Sequence, residues 1–199
     1  MAKYNGPKDR LSRREVYDIF AKGAKLTRLA VLPGVHGPKG ARKSSQYGKQ
    51  LREKQKVKRI YGVLEKQFKG YYQTAIKSKG NTGERLLSIL EKRLDNVVYR
   101  LGFAPTRPAA RQLVSHRHVL VNGKKVNIPS YQVRIGETVS ITTKAAAIPS
   151  IKIYLDKKDV TIPNWLKRKA IVGKIEKEPV REDVIEPISE QDIIEFYSR

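Results

Sequence analysis

Apolar residues recur every three or four positions between residues 47 and 68, which is the spacing of one face of an α-helix. They are Leu51, Val57, Ile60, Tyr61, Leu64 and Phe68. Lysines and arginines fill most of the opposite face. The pattern therefore predicts a basic amphipathic helix with a break near Gly62.

Two further helices are predicted between residues 82 and 116. The first has Thr82 as its N-cap and ends at Gly102, which suits a left-handed C-cap. The second begins in TRPAARQLVSH, because Thr106 can cap it and Pro108 is tolerated in a first turn.

Alternating apolar positions replace the helical spacing after residue 118 and indicate strands. Val119 and Val121 lead into Asn122-Gly123, a dipeptide favoured in tight hairpin turns. The segment YQVRIGETVSITT predicts further strands, and residues 149–187 predict loops with one or two strands. The order of helices and strands indicates a small α+β module.

The last predicted element is a short helix in SEQDIIEFYSR, with a capping box formed by Ser189 and Asp192. A helix this short needs tertiary packing, and we expect it to dock on residues 47–88. The predicted organisation is a basic N-terminal arm (1–46), a helical domain (47–89 completed by 188–199) and an inserted domain (90–187) with a core at about 91–150.

Charge narrows the choice of partner. The 199 residues include 42 Lys and Arg against 19 Asp and Glu, a net charge of +23. The excess lies before residue 145, because residues 145–199 carry equal numbers of acidic and basic side chains. A chain this basic favours a polyanion, with nucleic acid as the first expectation and an anionic membrane surface as the second.

Enzymatic and metal chemistry find little support. There is no cysteine, which excludes disulfides and thiolate metal sites. His116 and His118 are two apart, so on a strand they would point to opposite faces. No catalytic spacing, cofactor motif, signal peptide or membrane-length apolar run is present, and we expect a cytoplasmic protein without catalytic residues, metal or cofactor.

The polar face of the 106–116 helix is more informative. Arg107 and Arg111 lie one turn apart, with Gln112 and Ser115 beside them, and Arg117, Lys124 and Lys125 follow. Guanidinium groups and small polar donors suit phosphate binding. Because no base-reading motif of a DNA-binding protein is present, structured RNA is the better expectation.

Residues RLDNVVYRLGFAPTRPAARQLVSHRHVLVNGKKVNIPSYQVRIGETVSI resemble an RNA-binding module found in small-subunit ribosomal protein four, some pseudouridine synthases and bacterial tyrosyl-tRNA synthetases. The flanking motifs LSRRE, HGPKGARK, YGKQLREKQKVKRIYGVLEKQF, GNTGE and IIEFYSR are similar to the ribosomal family itself.

The resemblance implies a helical domain made from both chain ends with the module inserted. It also implies early binding to a junction in the 5′ domain of 16S ribosomal RNA, nucleation of subunit assembly, a position at the messenger RNA entry channel, and a contact with small-subunit protein five that supports accuracy. Some relatives bind zinc through cysteines near residues 10–32, and no zinc is expected here.

Specific residues carry over from the resemblance. The predicted ribosomal RNA contacts in the module are Arg93, Asn96, Arg100, Arg107, Arg111, Gln112, Ser115 and His116, to which charge adds Arg117, Lys124, Lys125, Arg52, Lys56 and Arg59. The predicted messenger-entry patch is Arg42, Lys43 and Lys49. Many relatives have glycine at position 117, so Arg117 would need a left-handed backbone or a different helix ending.

Two alternatives stay open at this point. An RNA-modifying enzyme can use the same module as a handle, but it needs a second domain with catalytic residues, for which residues 145–199 offer no motif. A general nucleic-acid chaperone would bind any RNA.

Overall fold

The computed structural model describes residues 4–40, 43–155 and 161–198. The helices within this part of the chain are α1 (Lys8–Glu15), α2 (Gln46–Ile60), α3 (Glu65–Lys77), α4 (Thr82–Glu91), α5 (Leu94–Arg100), α6 (Arg107–Ser115), α7 (Thr143–Ala146), α8 (Pro149–Leu155) and α9 (Glu190–Tyr197). The strands are β1 (Val119–Val121), β2 (Lys124–Lys125), β3 (Thr138–Ile141), β4 (Leu166–Lys169) and β5 (Val172–Ile175).

The chain forms two compact units. The first consists of residues 1–73 and 186–199, and the second of residues 74–185. A helical unit made from both chain ends with an α+β unit inserted is therefore confirmed. The first boundary lies within α3 rather than after residue 89, because α4 packs with α5 in the second unit.

The N-terminal region is more structured than a free arm. It contains α1, and Ile19 and Leu26 are buried. The guanidinium of Arg13 donates to the carbonyl oxygens of Val31 at 2.8 Å and Leu32 at 3.0 Å, which folds the segment back on itself.

The C-terminal helix docks in the first unit, as its apolar stripe predicts. Tyr197 stacks on Tyr72 with ring centroids 4.5 Å apart, and Ile193 is buried. The ammonium of the buried Lys54 lies 4.3 Å from the Phe196 ring centroid and 2.7 Å from a Glu65 oxygen. This cation therefore joins α2, α3 and α9. Ser189 begins α9 without the predicted side-chain cap.

Opposing effects act on the Glu65 carboxyl group. Burial favours the neutral form, but hydrogen bonds from Lys54, Lys58 and Tyr197 outweigh it and lower the pKa of Glu65 to about 2. The hydroxyl of Tyr197 donates to Glu65 at 2.9 Å. Burial and this hydrogen bond to an anion raise the pKa of Tyr197.

The second unit contains an antiparallel sheet with strand order β2-β1-β3-β5-β4. Its core includes the apolar faces of α5 and α6 together with Val119, Val139, Ile141, Trp165 and Ile175. A Cβ added at Gly173 would lie 2.4 Å from the buried Leu101 side chain. Any larger residue at this position would force the Leu101 side chain to move, so glycine allows β5 to approach the end of α5 closely.

Several predicted boundaries were wrong for local reasons. Asn81 caps α4 in place of Thr82, because its side chain accepts the amide of Gly83 at 2.9 Å. The helix predicted to run to Gly102 is interrupted at Arg93, whose backbone is extended. Residues 133–135 form no strand. The one or two strands predicted within residues 149–187 are present as β4 and β5, but the same region also contains α8, which was not predicted. The cap at Thr106 and the break near Gly62 are confirmed.

Replacing Glu65 by Gln tests the docking of α9. A carboxyl group whose pKa is lowered on folding stabilises the protein above its ordinary pKa of 4.5, and this contribution is lost as the pH falls through about 2. The Glu65 side chain is 45% exposed, so solvent screening limits the expected loss at pH 7 to about 1 kcal/mol. Thermal melts between pH 7 and pH 2 should show the melting temperatures of wild type and Glu65→Gln converging as the pH is lowered. Curves that stay parallel would contradict this account, and the exposed Glu182→Gln serves as the control.

Candidate nucleic-acid interface

The polar face of α6 lies on a well-capped helix. The hydroxyl oxygen of Thr106 accepts the amide of Ala109 at 3.3 Å, while Ala110, Leu113 and Val114 are buried on the opposite side. Gln112 is exposed and Arg111 is half-buried. The hydroxyl of Ser115 donates to the carbonyl of Arg111 at 2.9 Å, so this side chain already has a bond within its helix.

The end of α6 is closed by a residue in the left-handed conformation. Arg117 has φ 62°, and its amide donates to the carbonyl of Val114 at 3.0 Å. The amide of His118 donates to the carbonyl of Leu113 at 3.0 Å. Together these bonds form a Schellman motif, in which glycine is the usual residue at the position of Arg117. The left-handed alternative predicted for Arg117 is thus the one adopted, and its side chain is exposed.

A tight hairpin follows immediately. Asn122 and Gly123 both have positive φ, at 48° and 78°, as the predicted turn requires. The side chain of Asn122 accepts the amide of Thr138 at 2.9 Å and ties the turn to β3. Lys124 and Lys125 form β2 at one edge of the sheet, and both are exposed.

Three predicted RNA contacts are buried instead of exposed. The exposed fractions of Arg93, Asn96 and Arg100 are 1%, 2% and 7%. The guanidinium of Arg93 makes a bidentate pair with Asp95, with distances of 3.1 and 2.6 Å. Arg100 pairs in the same way with Glu91, at 3.0 and 2.8 Å. The structure therefore does not present these side chains at the surface, because internal acceptors hold them.

The buried groups extend to the half-buried arginines of α6. Asn96 donates to the carboxylate of Glu91 at 2.9 Å and accepts from Nε of Arg107 at 2.8 Å. The guanidinium of Arg107 lies 4.6 Å from the Tyr99 ring centroid. Arg111 reaches the carboxylate of Asp95 at 3.8 Å. We call Glu91, Arg93, Asp95, Asn96, Arg100, Arg107 and Arg111 the polar network.

The predicted RNA contacts on α2 also have acidic partners within their unit. Arg52 and Arg59 both pair with Glu15, whose side chain is 1% exposed. Burial raises the pKa of Glu15, although the two arginines oppose this shift. Lys56 pairs with Glu53 at 2.7 Å. Arg52 retains the most exposure of the three, at 39% of its side chain.

The predicted messenger-entry patch is described in part. Arg42 lies outside the described residues, whereas Lys43 and Lys49 are both exposed. Lys49 lies on α2, which begins at a cap where Ser45 accepts the amide of Gly48 at 3.2 Å.

The histidines do not form the arrangement expected of a strand pair. His116 ends α6 and His118 precedes β1, and their ring centroids are 6.3 Å apart. Within residues 4–40, 43–155 and 161–198, no cluster of His, Cys, Asp or Glu is placed to hold a metal ion. Over the same ranges, none of the helices combines the length and apolar character needed to cross a bilayer.

Sequence reasoning missed the acidic partners of these arginines. In the second unit Glu91 and Asp95 organise the arginines around them, and Tyr99 supports Arg107. In the first unit Glu15 does the same for Arg52 and Arg59. The available signal was the presence of isolated acids within basic helices, such as those in LEKRLDNVVYR. Their partners lie as far as 44 residues away along the chain, so spacing alone could not assign them.

The chain is similar to known proteins over its whole length. Residues 3–91 match the family described as the ribosomal protein S4/S9 N-terminal domain, and residues 92–139 match the S4 domain. Relatives named small ribosomal subunit protein uS4 are 51% identical in Pelobacter propionicus and 52% in Geobacter sulfurreducens, and the relative named uS4A in Clostridium botulinum is 48% identical. Each match covers 100% of both chains.

Removal of Glu91 should be costly for the fold. Glu91→Ala leaves Arg100 buried without this anion, and breaking such a pair typically costs about 3–5 kcal/mol. Denaturant unfolding should show this loss, whereas the exposed Glu182→Ala should change stability by about 0.5 kcal/mol or less. A loss below about 1 kcal/mol for Glu91→Ala would mean that water replaces the carboxylate, contrary to its burial.

Proposed function

The chain belongs to the uS4 family of small ribosomal subunit proteins, and from this we propose that it binds the 5′ domain of 16S ribosomal RNA early in assembly and nucleates the body of the small subunit. It is a structural ribosomal protein with RNA-binding domains and not an enzyme. The alternative of an RNA-modifying enzyme is therefore set aside.

The proposed mechanism begins with electrostatic capture. Phosphate contacts from lysine and arginine release counterions, which gives affinity and strong salt dependence. In the second unit, the exposed Arg117, Lys124 and Lys125 and the half-buried Arg107 and Arg111 would supply these charged contacts. Gln112, Ser115 and His116 would add polar contacts beside them. A fixed helix and hairpin then select RNA by shape and phosphate spacing.

The left-handed backbone of the exposed Arg117 is the observation that supports the proposal most directly. A left-handed conformation costs roughly 1–2 kcal/mol for a residue other than glycine. Here that conformation is occupied by an exposed cation between α6 and the hairpin. Backbone strain of this kind concentrates at functional sites, and an arginine at this corner would extend the phosphate-binding surface of α6.

The finer parts of the proposal concern other partners. Lys43 and Lys49 are exposed cations beside the start of α2, and with Arg42 they would contact messenger RNA at the entry channel. A contact with small-subunit protein five would link the chain to accuracy of decoding. In the first unit, Arg52 is the best-exposed of the proposed α2 contacts, while Lys56 and Arg59 would have to share their internal partners with RNA.

Footprinting on full-length 16S ribosomal RNA tests the proposal. We expect protection to concentrate at a multi-helix junction of the 5′ domain and to persist in an excess of bulk transfer RNA. Protection that is spread over the molecule, or that transfer RNA removes, would instead identify a general nucleic-acid chaperone. Protection confined to another domain would overturn the proposed binding site.

Arg117→Gly separates RNA binding from stability. The change relieves the strain of the left-handed backbone. Glycine also makes the unfolded chain more flexible, which offsets part of this gain, so we expect the free energy of unfolding to rise by about 0.5–1 kcal/mol. Affinity for the junction should fall by about three- to tenfold, and the slope of log affinity against log salt should weaken by about one.

Ala170→Gly is the matched control. Ala170 also has a left-handed backbone, with φ 50°, between β4 and β5, and its side chain carries no charge. This variant should gain similar stability and bind RNA unchanged. If Arg117→Gly binds as tightly as Ala170→Gly, Arg117 does not contact RNA.

A further inference from the structure

We propose that Asn96 acts as a positioning residue for RNA binding, holding Arg107 in the orientation that meets a phosphate. This inference rests on the proposed RNA-binding function and replaces the predicted direct contact of Asn96. At 2% exposure, Asn96 acts through its neighbour and not through its own surface.

Arg107 is held from two directions. Its Nε donates to Oδ1 of Asn96 at 2.8 Å, which fixes the position of the guanidinium along its edge. The Tyr99 ring lies 4.6 Å from the guanidinium carbon, within cation–π distance, and limits the positions that the guanidinium can take. A half-buried arginine is thereby given a defined orientation at the start of α6.

The orientation of the Asn96 amide is itself determined. Its Nδ2 donates to the backbone carbonyl of Glu91 at 3.1 Å and to the Glu91 carboxylate at 2.9 Å. Because the nitrogen must face these two acceptors, the oxygen must face Arg107. The site therefore needs a donor on one side and an acceptor on the other, which asparagine provides in one short side chain.

Glu91 anchors this arrangement. Its carboxylate is fully buried and receives both Nε and Nη2 of Arg100, at 3.0 and 2.8 Å. The orientation of Arg107 is thus connected through Asn96 to a bidentate ion pair inside the protein. Arginine loses considerable rotamer freedom when it binds a ligand, so an orientation fixed before binding increases affinity.

A second series of contacts in the polar network resembles the first. Arg93 is buried and bidentate to Asp95, and Asp95 in turn lies 3.8 Å from the half-buried Arg111. In both series of contacts a buried arginine pairs with an acidic group. A half-buried arginine of α6 then contacts that acidic group, either directly or through Asn96. Because Arg111 lies farther from Asp95 than Arg107 lies from Asn96, the Asn96–Arg107 contact is the better one to test.

A double-mutant cycle on RNA affinity tests the role of Asn96. Full-length wild type, Asn96→Ala, Arg107→Ala and the double variant would be titrated against a 5′-domain fragment of 16S ribosomal RNA at fixed salt. We expect each single change to weaken binding by about five- to tenfold, and the double variant to bind no more weakly than Arg107→Ala. An Asn96→Ala effect that is equal in both backgrounds, or absent in the wild-type background, would overturn the inference.

Asn96→Asp distinguishes positioning from stability. It keeps an acceptor for Arg107 but places a second carboxylate against Glu91, so the melting temperature should fall while RNA affinity stays within about threefold of wild type. Loss of affinity that instead follows melting temperature across Asn96→Ala and Asn96→Asp would assign Asn96 a purely structural role.

Tyr99 provides a second approach if Asn96→Ala does not fold. Tyr99→Phe keeps the ring and should bind RNA as wild type, whereas Tyr99→Leu should lose affinity only when Arg107 is present. A Tyr99→Leu effect that persists in Arg107→Ala would contradict the fixed orientation of Arg107.

Failure of the two proposals would look different. If Arg107→Ala leaves binding unchanged and footprinting finds no 5′-domain protection, the proposed RNA function fails. If Arg107→Ala weakens binding but Asn96→Ala does not, only the positioning role of Asn96 fails.

Discussion

A carboxylate with no access to solvent constrains how the helices of the second unit pack. Glu91 stands at the end of α4, and burial of an anion is tolerated only when cations and hydrogen-bond donors surround it. Two of those donors, Asn96 and Arg100, lie on successive turns of α5. The orientation of α5 against the end of α4 is thus fixed by charge as well as by apolar packing, and α6 packs on α5 in that orientation.

Apolar spacing predicted much of the fold, because it reports directly which side of a helix is buried. The basic helix and the docking of the last helix follow from this spacing, whereas the break near Gly62, the cap at Thr106 and the Asn122-Gly123 hairpin follow from residues that favour caps and turns. Where the pattern was weak, prediction failed. The interruption at Arg93 leaves the apolar stripe unchanged, and α8 is a short apolar stretch in residues 149–187, where only loops and strands were expected.

The candidate site was less predictable than the fold, because an arginine in a sequence does not reveal whether protein or RNA will receive its hydrogen bonds. Arg93 and Arg100 were predicted to contact RNA, yet their guanidinium groups pair with carboxylates inside the protein. Arg117 is the opposite case, since the family resemblance had already raised a left-handed backbone as one of two ways to end α6, and the structure adopts it. Pairing depends on contacts that are distant along the chain, whereas a left-handed turn is a local property.

The few acidic residues of this basic chain have a disproportionate role in its organisation. Glu15 lies between Arg52 and Arg59, Glu65 between Lys54 and Lys58, and Asp95 between Arg93 and Arg111. An anion shared by two cations reduces the repulsion between them and also fixes their separation. A chain with a net charge of +23 can therefore hold its arginines at defined positions before any RNA is present. Electrostatic capture by such a surface would then be followed by docking with little rearrangement, because the protein's own carboxylates have already selected the geometry.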